Sequence, residues 1–438
     1  MTGLVLLAAL VLAVVAERRD WAPSARTALL TGAVLRLALV LLTAGDPAQP
    51  YDFAHDFRQT AENILTGHDP VLSIREGGWH FLPLMAYLFA GALRLGELLG
   101  VSWGVMGRLV TVTADLVLVP LVGRLAPERR ALRRFQYACA PLALMISGIH
   151  GQIEPVALAF GVAALLAARR HRPGAAGLLL GLAVTAGSWP VLLAPGVLVA
   201  LGTARRRLAA LVPAVAVPAV FFLTTPLVVG ESPRFLTPAA KELLSTRPVV
   251  GDWGWTPWFT GGAEALSPAL AKAGTVLLVL GLLAAGYVWR RAEPADLTMA
   301  LLMAFLLVTA RFGSQYLVWA LPYLIARPTR RAWPAMVAMS LWAAFGYLHM
   351  MRLSHDGWVD VHAWWSCSSA VVVLLILWAL PWSRRAPASG ECGPPRSEDR
   401  GGPPLTRSAP GRSDTSTRRA WTPSPRPGPG GIRPRHRA

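Results

Sequence analysis

Two carboxylates four residues apart are the first candidates for chemistry in this chain. Asp52 and Asp56 belong to the segment YDFAHDFRQTAENILTGHDP, inside a polar loop, 46–79, that separates hydrophobic segments. Carboxylates placed just outside a membrane span are the first functional candidates in a chain with few other places for water-soluble chemistry. The alternative is structural: Asp52 would cap a short helix, and Asp56 would compensate its dipole.

The segment 52–66 has the periodicity of an amphipathic helix. One face is apolar, and the two acids fall on another face with Gln59 and Asn63. The helix would end at Gly67, with Pro70 shortly after it. This pattern predicts a short helix on the membrane surface with its apolar face in lipid. The apolar face comprises Phe53, Phe57, Ala61, Ile64 and Leu65.

Arg75 and His80 follow the predicted helix and extend the list of candidate binding residues. Arg75 is one of the few cations expected on the outer side of the membrane, where it could pair with a phosphate. A salt bridge with Glu76 would explain it equally. His80 follows Trp79 at the start of an apolar run, and such a pair also anchors helices at the membrane interface.

A second polar cluster interrupts the apolar sequence at SGIHGQIEP, residues 147–155. His150, Gln152 and Glu154 fall together there, at the predicted outer side. Polar groups at membrane depth are expensive unless they line a cavity, so the three are candidates for substrate binding. A hydrogen-bonded turn without a ligand is the alternative.

The long loop 229–268 combines cations with aromatic residues. It contains Arg234, Lys241, Trp253, Trp255 and Trp258. Tryptophans beside charged groups suit sugar stacking and lipid-phosphate binding, although tryptophans are also ordinary at a membrane interface.

These loops must be positioned by membrane helices. The chain is 54% hydrophobic and 15% charged, with a mean hydropathy of +0.46, and its apolar runs approach the ~20 residues that cross a bilayer. We predict an all-α polytopic transmembrane helical bundle of about 11–14 spans. The run 3–16 is interpreted as a retained first helix, with a cleaved signal peptide as the alternative.

The net charge of +18 is explained by the expected membrane topology. Arginine clusters recur at the ends of the apolar runs, as the positive-inside rule predicts for cytoplasmic loops, so we expect no nucleic-acid partner. The rule gives a multi-pass plasma-membrane protein with outer loops 46–79 and 229–268. If 80–98 and 107–125 both crossed the membrane, the basic loop 126–134 would lie outside, which the positive-inside rule disfavours.

Two domains are predicted. Residues 1–382 form the membrane domain, and residues 383–438, rich in Pro, Gly, Ser and Arg, form a disordered basic cytoplasmic tail. No nucleotide-binding loop, dinucleotide fingerprint, HExxH motif or nucleophile elbow occurs, and the three cysteines lack metal-ligand spacing. We therefore predict neither a cofactor nor a metal.

The order of these motifs resembles the bacterial polyprenyl-phosphate-mannose-dependent glycosyltransferases of the GT-C fold. The resemblance is carried by HDFRQTAENILTGHDP, WHFLPLMAYLFA, ISGIHGQIEP and AGLLLGLAVTAGSWPVLLAPG, over about residues 28–202. The chain departs from the family pattern at Glu154, where Asp is commoner. It also departs at Gly187–Pro190, which lacks the usual Lys, and after Asp56, where the usual Tyr is missing.

The resemblance implies a function and a set of roles. A hexose, mannose in the family, would pass from a polyprenyl-phosphate donor to a glycan or lipid acceptor at the outer side of the membrane. Asp56 would be the catalytic base, and Arg75 or a cation of the loop 229–268 would hold the phosphate. His150 and Gln152 would line the sugar pocket, with Asp52, His80 and Glu154 as further substrate-binding residues.

Two other classes of protein fit a chain with many spans. A transporter or lipid flippase would also need buried polar residues, but such proteins tend to have repeated halves and charges in mid-span. Here no internal repeat is evident, and most acids cluster in the outer loops, with Glu97 and Asp115 as exceptions. A non-enzymatic membrane assembly factor is the third alternative.

Overall fold

The computed structural model describes residues 1–73, 79–244, 249–251, 253–262 and 265–384. Within these ranges the chain is an all-α polytopic membrane bundle, with one ribbon of two short antiparallel strands, which confirms the predicted fold class. Five helices are long and apolar enough to cross a membrane, and shorter apolar helices pack among them. The long helices cover Ala25–Thr43, Trp103–Leu125, Ala204–Val229, Pro268–Val288 and Asp356–Ala379.

The helices follow the apolar runs of the sequence closely. In chain order they are α1 (Thr2–Arg18), α2 (Ala25–Thr43), α3 (Arg58–Leu65), α4 (Leu84–Leu99), α5 (Trp103–Leu125), α6 (Arg130–Ala138), α7 (Pro141–Leu144), α8 (Glu154–Arg169), α9 (Pro173–Ala186), α10 (Ala194–Leu201), α11 (Ala204–Val229), α12 (Leu236–Leu244), α13 (Pro257–Thr260), α14 (Pro268–Val288), α15 (Pro294–Val308), α16 (Leu321–Ala326), α17 (Ala332–Leu348) and α18 (His355–Ala379). The strands are β1 (Val249–Val250) and β2 (Ala265–Leu266). Tighter 3₁₀ turns cover Trp189–Leu193, Pro233–Phe235, Ser314–Val318 and Met350–Arg352, and wider π-helical turns cover Asp52–Phe57 and Met145–His150.

Proline and glycine break some of the apolar runs. One break falls at Gly187–Pro190, where α9 ends at Ala186 and a 3₁₀ turn leads into α10. The run 135–149 is broken as well. Pro141 has no N–H to continue the hydrogen-bond ladder of α6, so α7 starts with it.

Contacts between helix ends resolve the conflict over 80–98 and 107–125. Arg129, just after α5, pairs with Glu17 and Asp20, just after the body of α1, so these two loops share one side. The other end of α5 lies against the far end of α2, since a Cβ on Gly104 would meet the Ala44 carbonyl oxygen at 2.4 Å. The segment between α2 and α5 therefore starts and ends on the same side, and α4 makes no crossing. At 1.5 Å per residue its 16 residues are also short for a ~30 Å hydrocarbon layer.

The predicted cytoplasmic loops meet in one ion-pair cluster. Asp296 accepts from Arg327 at 2.7 Å and from Arg384 at 3.1 Å, and Glu293 pairs with Arg169. These contacts join the loops 169–173, 289–294 and 327–332 to the residues after α18, which confirms that they lie on the same side. The predicted tail is outside the described residues from 385 onward and stays a prediction.

A buried charge network ties α2, α5 and α6 to the second π-helical turn. The fully buried Arg36 donates to Asp115 Oδ2 at 2.8 Å, and it also binds the carbonyl of Ala138. Asp115 accepts from Tyr137 at 2.7 Å and from Ser147 at 2.8 Å. These hydrogen bonds tie the mid-membrane pair to α6 and to the turn that ends at His150, and breaking the pair would leave an uncompensated buried charge.

The outer helix predicted over 52–66 forms, but it does not lie in lipid. Phe53 stacks on Trp103 with ring centroids 5.3 Å apart, and Phe57 stacks on Phe89 at 5.2 Å. Phe53, Phe57 and Ala61 are thus buried, whereas Ile64 is half-buried and Leu65 is exposed. The prediction of a lipid-facing helix is wrong because α4, which lies along the same side of the bundle, supplies the apolar partner.

Candidate active site

The two π-helical turns of the described chain carry the two groups that meet at the centre of the site. Asp52 opens the turn Asp52–Phe57, and His150 closes the turn Met145–His150. Such turns are rare, widen the helix locally and occur frequently at functional sites. Here Asp52 is the first residue of one turn and His150 the last residue of the other.

Asp52, His150 and Gln152 form one hydrogen-bonded cluster. His150 Nε2 lies 2.8 Å from Asp52 Oδ1, and Gln152 Nε2 donates to Asp52 Oδ2. The other ring nitrogen of His150 lies 2.6 Å from the hydroxyl of Tyr347, on α17. If the tyrosine donates to Nδ1, the neutral imidazole donates from Nε2 to the carboxylate, which satisfies all three groups.

Gly151 and Arg108 hold this cluster in place. Gly151 has a φ of +79°, and a Cβ there would lie 2.6 Å from the Phe53 ring, so only glycine lets the chain turn between His150 and Gln152. The buried guanidinium of Arg108 binds the Ile149 carbonyl through Nε at 2.8 Å and lies 4.3 Å from the centre of the Phe53 ring. Arg108 therefore joins the residue before His150 to the residue after Asp52.

Two cavities meet at Asp52. Both are lined by Asp52 and Gln315, one with a volume of about 630 Å³ and the other of about 710 Å³. We call the first the α14 cavity, because Leu278 and Leu282 of α14 line it. The second is the α18 cavity, because Trp358 and Trp365 of α18 line it.

The α14 cavity changes character along its length. Its polar part contains most of the sequence-predicted site residues, and its apolar part reaches side chains at the surface of the bundle, where Val191 is 59% exposed. The polar part includes Asp52, Asp56, His80, Gln152, Glu154, Gln315 and Tyr316, and the apolar part includes Val191, Leu192, Leu278, Leu282 and Phe305.

The α18 cavity is aromatic. Trp253, from the loop 229–268, packs against Trp365 with ring centroids 5.3 Å apart, and Trp358 and Tyr347 complete this wall. Asp52 and His150 lie at the end that adjoins the α14 cavity. The prediction that tryptophans of this loop contribute to a binding site is supported here for Trp253, whereas Trp258 is exposed.

The environments of Asp52 and Asp56 push their pKa values apart. Burial alone would raise the pKa of Asp52, but the His150 ring and the backbone N–H of Phe53 outweigh it, and the pKa lies below its ordinary value. Burial raises the pKa of Asp56 to about 6, and the negative charge of Asp52 adds to the shift. At neutral pH Asp52 is therefore the more firmly ionised carboxylate of the pair.

Comparison with known proteins gives a family for the middle of the chain. Residues 148–310 match the model of glycosyltransferase family 87. The match covers less than half of the chain, begins two residues before His150 and includes Gln152 and Glu154. Over this segment it confirms the resemblance to a glycosyltransferase family that the sequence motifs predict.

Among solved structures, the chain is similar to the crystal structure of ArnT from Cupriavidus metallidurans bound to undecaprenyl phosphate. The identity is 14%, the alignment covers 81% of this chain and 78% of that chain, and the TM-score is 0.44. A comparison with curated proteins gives no match.

The structure brings together six of the seven residues predicted from sequence. Asp52, Asp56, His80, Gln152 and Glu154 line the α14 cavity, and His150 joins them through Asp52. Arg75 lies outside the described residues. Within the described ranges, no three His, Cys, Asp or Glu side chains come together as a set of metal ligands.

Sequence reasoning missed several residues that complete the site. Tyr347, Trp319 and Trp189 lie inside apolar runs, where an aromatic residue gives no local sign of a cavity. Gln315 and Tyr316 follow Ser314. These three consecutive polar residues beside an apolar run were the one sequence signal for this part of the site. Arg108 is the second residue of the predicted span 107–125, where an arginine gives no sign of a site.

The raised pKa of Asp56 predicts a pH-dependent stability. A carboxyl group that binds its proton more tightly in the folded protein favours folding below its unfolded pKa, ~4. That contribution is lost as the pH rises through about 6. We expect Asp56→Asn to unfold at a higher temperature than the wild type at about pH 7.5 and at nearly the same temperature at about pH 4.

Thermal unfolding in detergent at both pH values measures this difference. Glu97→Gln is the matched control, because Glu97 is exposed and pairs with Arg94 at 3.0 Å. A stabilisation by Asp56→Asn that is equal at the two pH values would contradict the prediction.

Proposed function

We propose that the protein is a membrane glycosyltransferase that moves a hexose, mannose by the family resemblance, from a polyprenyl-phosphate donor to an acceptor hydroxyl at the outer side of the plasma membrane. The observation that carries the proposal is the position of Asp52. One ionised carboxylate, held by His150 and Gln152, lies where two separate cavities meet. Transfer between two substrates needs such a meeting point.

The α14 cavity suits a lipid-linked sugar. Its polar part offers groups that can bind a sugar and phosphate, and its apolar part passes the half-buried Leu278 and ends at the exposed Val191. A polyprenyl chain would remain in the hydrocarbon while its headgroup enters beside Asp52. The lipid bound in the solved ArnT structure, undecaprenyl phosphate, is itself a polyprenyl phosphate.

The α18 cavity suits the acceptor. Trp253, Trp358 and Trp365 give it the aromatic wall that sugars and glycolipid headgroups stack against. An acceptor hydroxyl at its inner end would lie beside Asp52 and His150. Glycan and lipid acceptors both fit this description.

The proposed step is a displacement at the anomeric carbon of the donor. Asp52 accepts the proton of the acceptor hydroxyl while that oxygen bonds to the anomeric carbon. The bond from this carbon to the phosphate oxygen breaks, and the phosphate leaves with the electron pair. His150 and Gln152 orient the carboxylate, and the cluster needs no nucleotide, since the donor arrives through the membrane.

A cation near the leaving phosphate would complete the site. Arg75 remains the proposed candidate from the sequence. Arg311 is a second candidate, because its charge acts on Tyr316, which lines the α14 cavity. Arg234 and Lys241 of the loop 229–268 line neither cavity.

A direct assay tests the function. Purified protein in liposomes is given undecaprenyl phosphate carrying radiolabelled mannose, glucose or galactose, together with a glycolipid extract as acceptor. We expect label to move from one donor to a new product, with release of undecaprenyl phosphate. Movement of an intact donor across the bilayer without any product would instead indicate the transporter or flippase and overturn the proposal.

A further inference from the structure

Several buried polar atoms around the α14 cavity have no hydrogen-bond partner. They are the indole nitrogens of Trp79, Trp189 and Trp319 and the Oε2 atom of Glu154. All four side chains are more than nine-tenths buried. Buried polar groups in proteins are nearly always paired, and leaving one unpaired is costly, so four such atoms around one cavity indicate a missing ligand.

The local structure explains how these residues come together. Trp189 lies in the 3₁₀ turn after the Gly187 break, and Trp319 follows the 3₁₀ turn Ser314–Val318. The two indoles stack with centroids 4.1 Å apart and an interplanar angle of 12°. Glu154, at the start of α8, faces the Trp319 indole, yet its Oε2 and the indole nitrogen each lack a completed hydrogen bond.

The unpaired set has the composition of a polyol site. Three N–H groups can donate to hydroxyl oxygens, and a carboxylate can accept from hydroxyl hydrogens, which is the combination that a sugar ring requires. A phosphate alone would satisfy the indoles but would repel Glu154. A hydrocarbon chain would satisfy none of them.

We propose that Trp79, Glu154, Trp189 and Trp319 form the subsite for the sugar ring of the donor, and that Glu154 selects the sugar by accepting a hydrogen bond from one of its hydroxyl groups. This inference rests on the proposed function, since it assigns the sugar of that donor to one wall of the α14 cavity. The wall adjoins Asp52, whose charge acts on Glu154. The anomeric carbon can therefore face the base while the far hydroxyls face the wall.

A binding comparison tests the subsite without depending on turnover. Quenching of tryptophan fluorescence is titrated with bare undecaprenyl phosphate and with its mannosyl, glucosyl and galactosyl derivatives, on the full-length protein in nanodiscs. The wild type is expected to bind one derivative at least tenfold more tightly than the bare lipid phosphate. In Glu154→Gln this ratio should fall severalfold, through weaker binding of the preferred sugar-bearing lipid.

Two further variants make the result specific. Trp189→Phe keeps an aromatic ring, smaller than the indole, and removes the N–H, so it should also lower the ratio. Glu97→Gln, which changes an exposed glutamate outside the α14 cavity, should leave the ratio at the wild-type value. An unchanged ratio in both Glu154→Gln and Trp189→Phe would overturn the subsite alone, provided the wild type prefers a sugar-bearing lipid. A wild type that binds none of the four lipids would overturn the proposed donor and the subsite with it.

Discussion

Asp52→Asn is expected to lower the rate of sugar transfer by about 10²–10⁴-fold, the range of a lost general base. The substitution keeps the size of the side chain but removes the charge that His150 and Gln152 hold between the two cavities. The measurement is the initial rate of label transfer in liposomes at saturating donor, with the folded fraction checked by gel filtration. Because the base acts in the chemical step, the loss should appear in kcat.

Asp56→Asn is the matched comparison, since Asp56 lies four residues along and lines the same α14 cavity. The sequence motif assigns the base to Asp56, whereas the hydrogen bonds of Asp52 with His150 and Gln152 at the junction of the two cavities favour Asp52. We expect Asp56→Asn to retain most of the activity. If Asp56→Asn were inactive and Asp52→Asn active, the base would be Asp56, as the sequence motif implies, and our assignment to Asp52 would be wrong.

Arg36→Met is expected to cause the largest loss of stability, about 3–5 kcal/mol, the usual cost of removing one partner of a buried ion pair. Both Arg36 and Asp115 are fully buried, so the substitution leaves a carboxylate among apolar helices with only Tyr137 and Ser147 as donors. Thermal unfolding in detergent, followed by gel filtration of heated samples, measures the effect.

The double variant Arg36→Met with Asp115→Leu is the control. Replacing both charges by apolar side chains leaves no unpaired ion, so it should recover much of the lost stability. Its activity should remain below that of the wild type, because Ser147 then loses its bond to Asp115 in the turn before His150. A double variant no more stable than Arg36→Met alone would show that the pair matters through packing.

The positions of the helices follow from local sequence. Hydropathy and periodicity depend on neighbouring residues only, so the apolar runs, the break at Gly187–Pro190 and the polar hinge at His150 could be predicted along the chain. The same holds for the set of polar residues near the site, because a polar group is conspicuous in an apolar chain. Six of the seven predicted site residues come together in the described structure.

Only the tertiary structure decided which of these residues contact each other. Tyr347 reaches His150 across 197 positions, and Trp319 meets Glu154 and Trp189 from another part of the bundle. Hydropathy also could not show that α4 fails to cross, since its composition matches that of a spanning helix and only the contacts at the ends of α2 and α5 fix its side. Asp52 and Asp56 are adjacent on one helical face, so the local sequence pattern does not show which of the two is the base. The packing of the His150 turn against Asp52 distinguishes them.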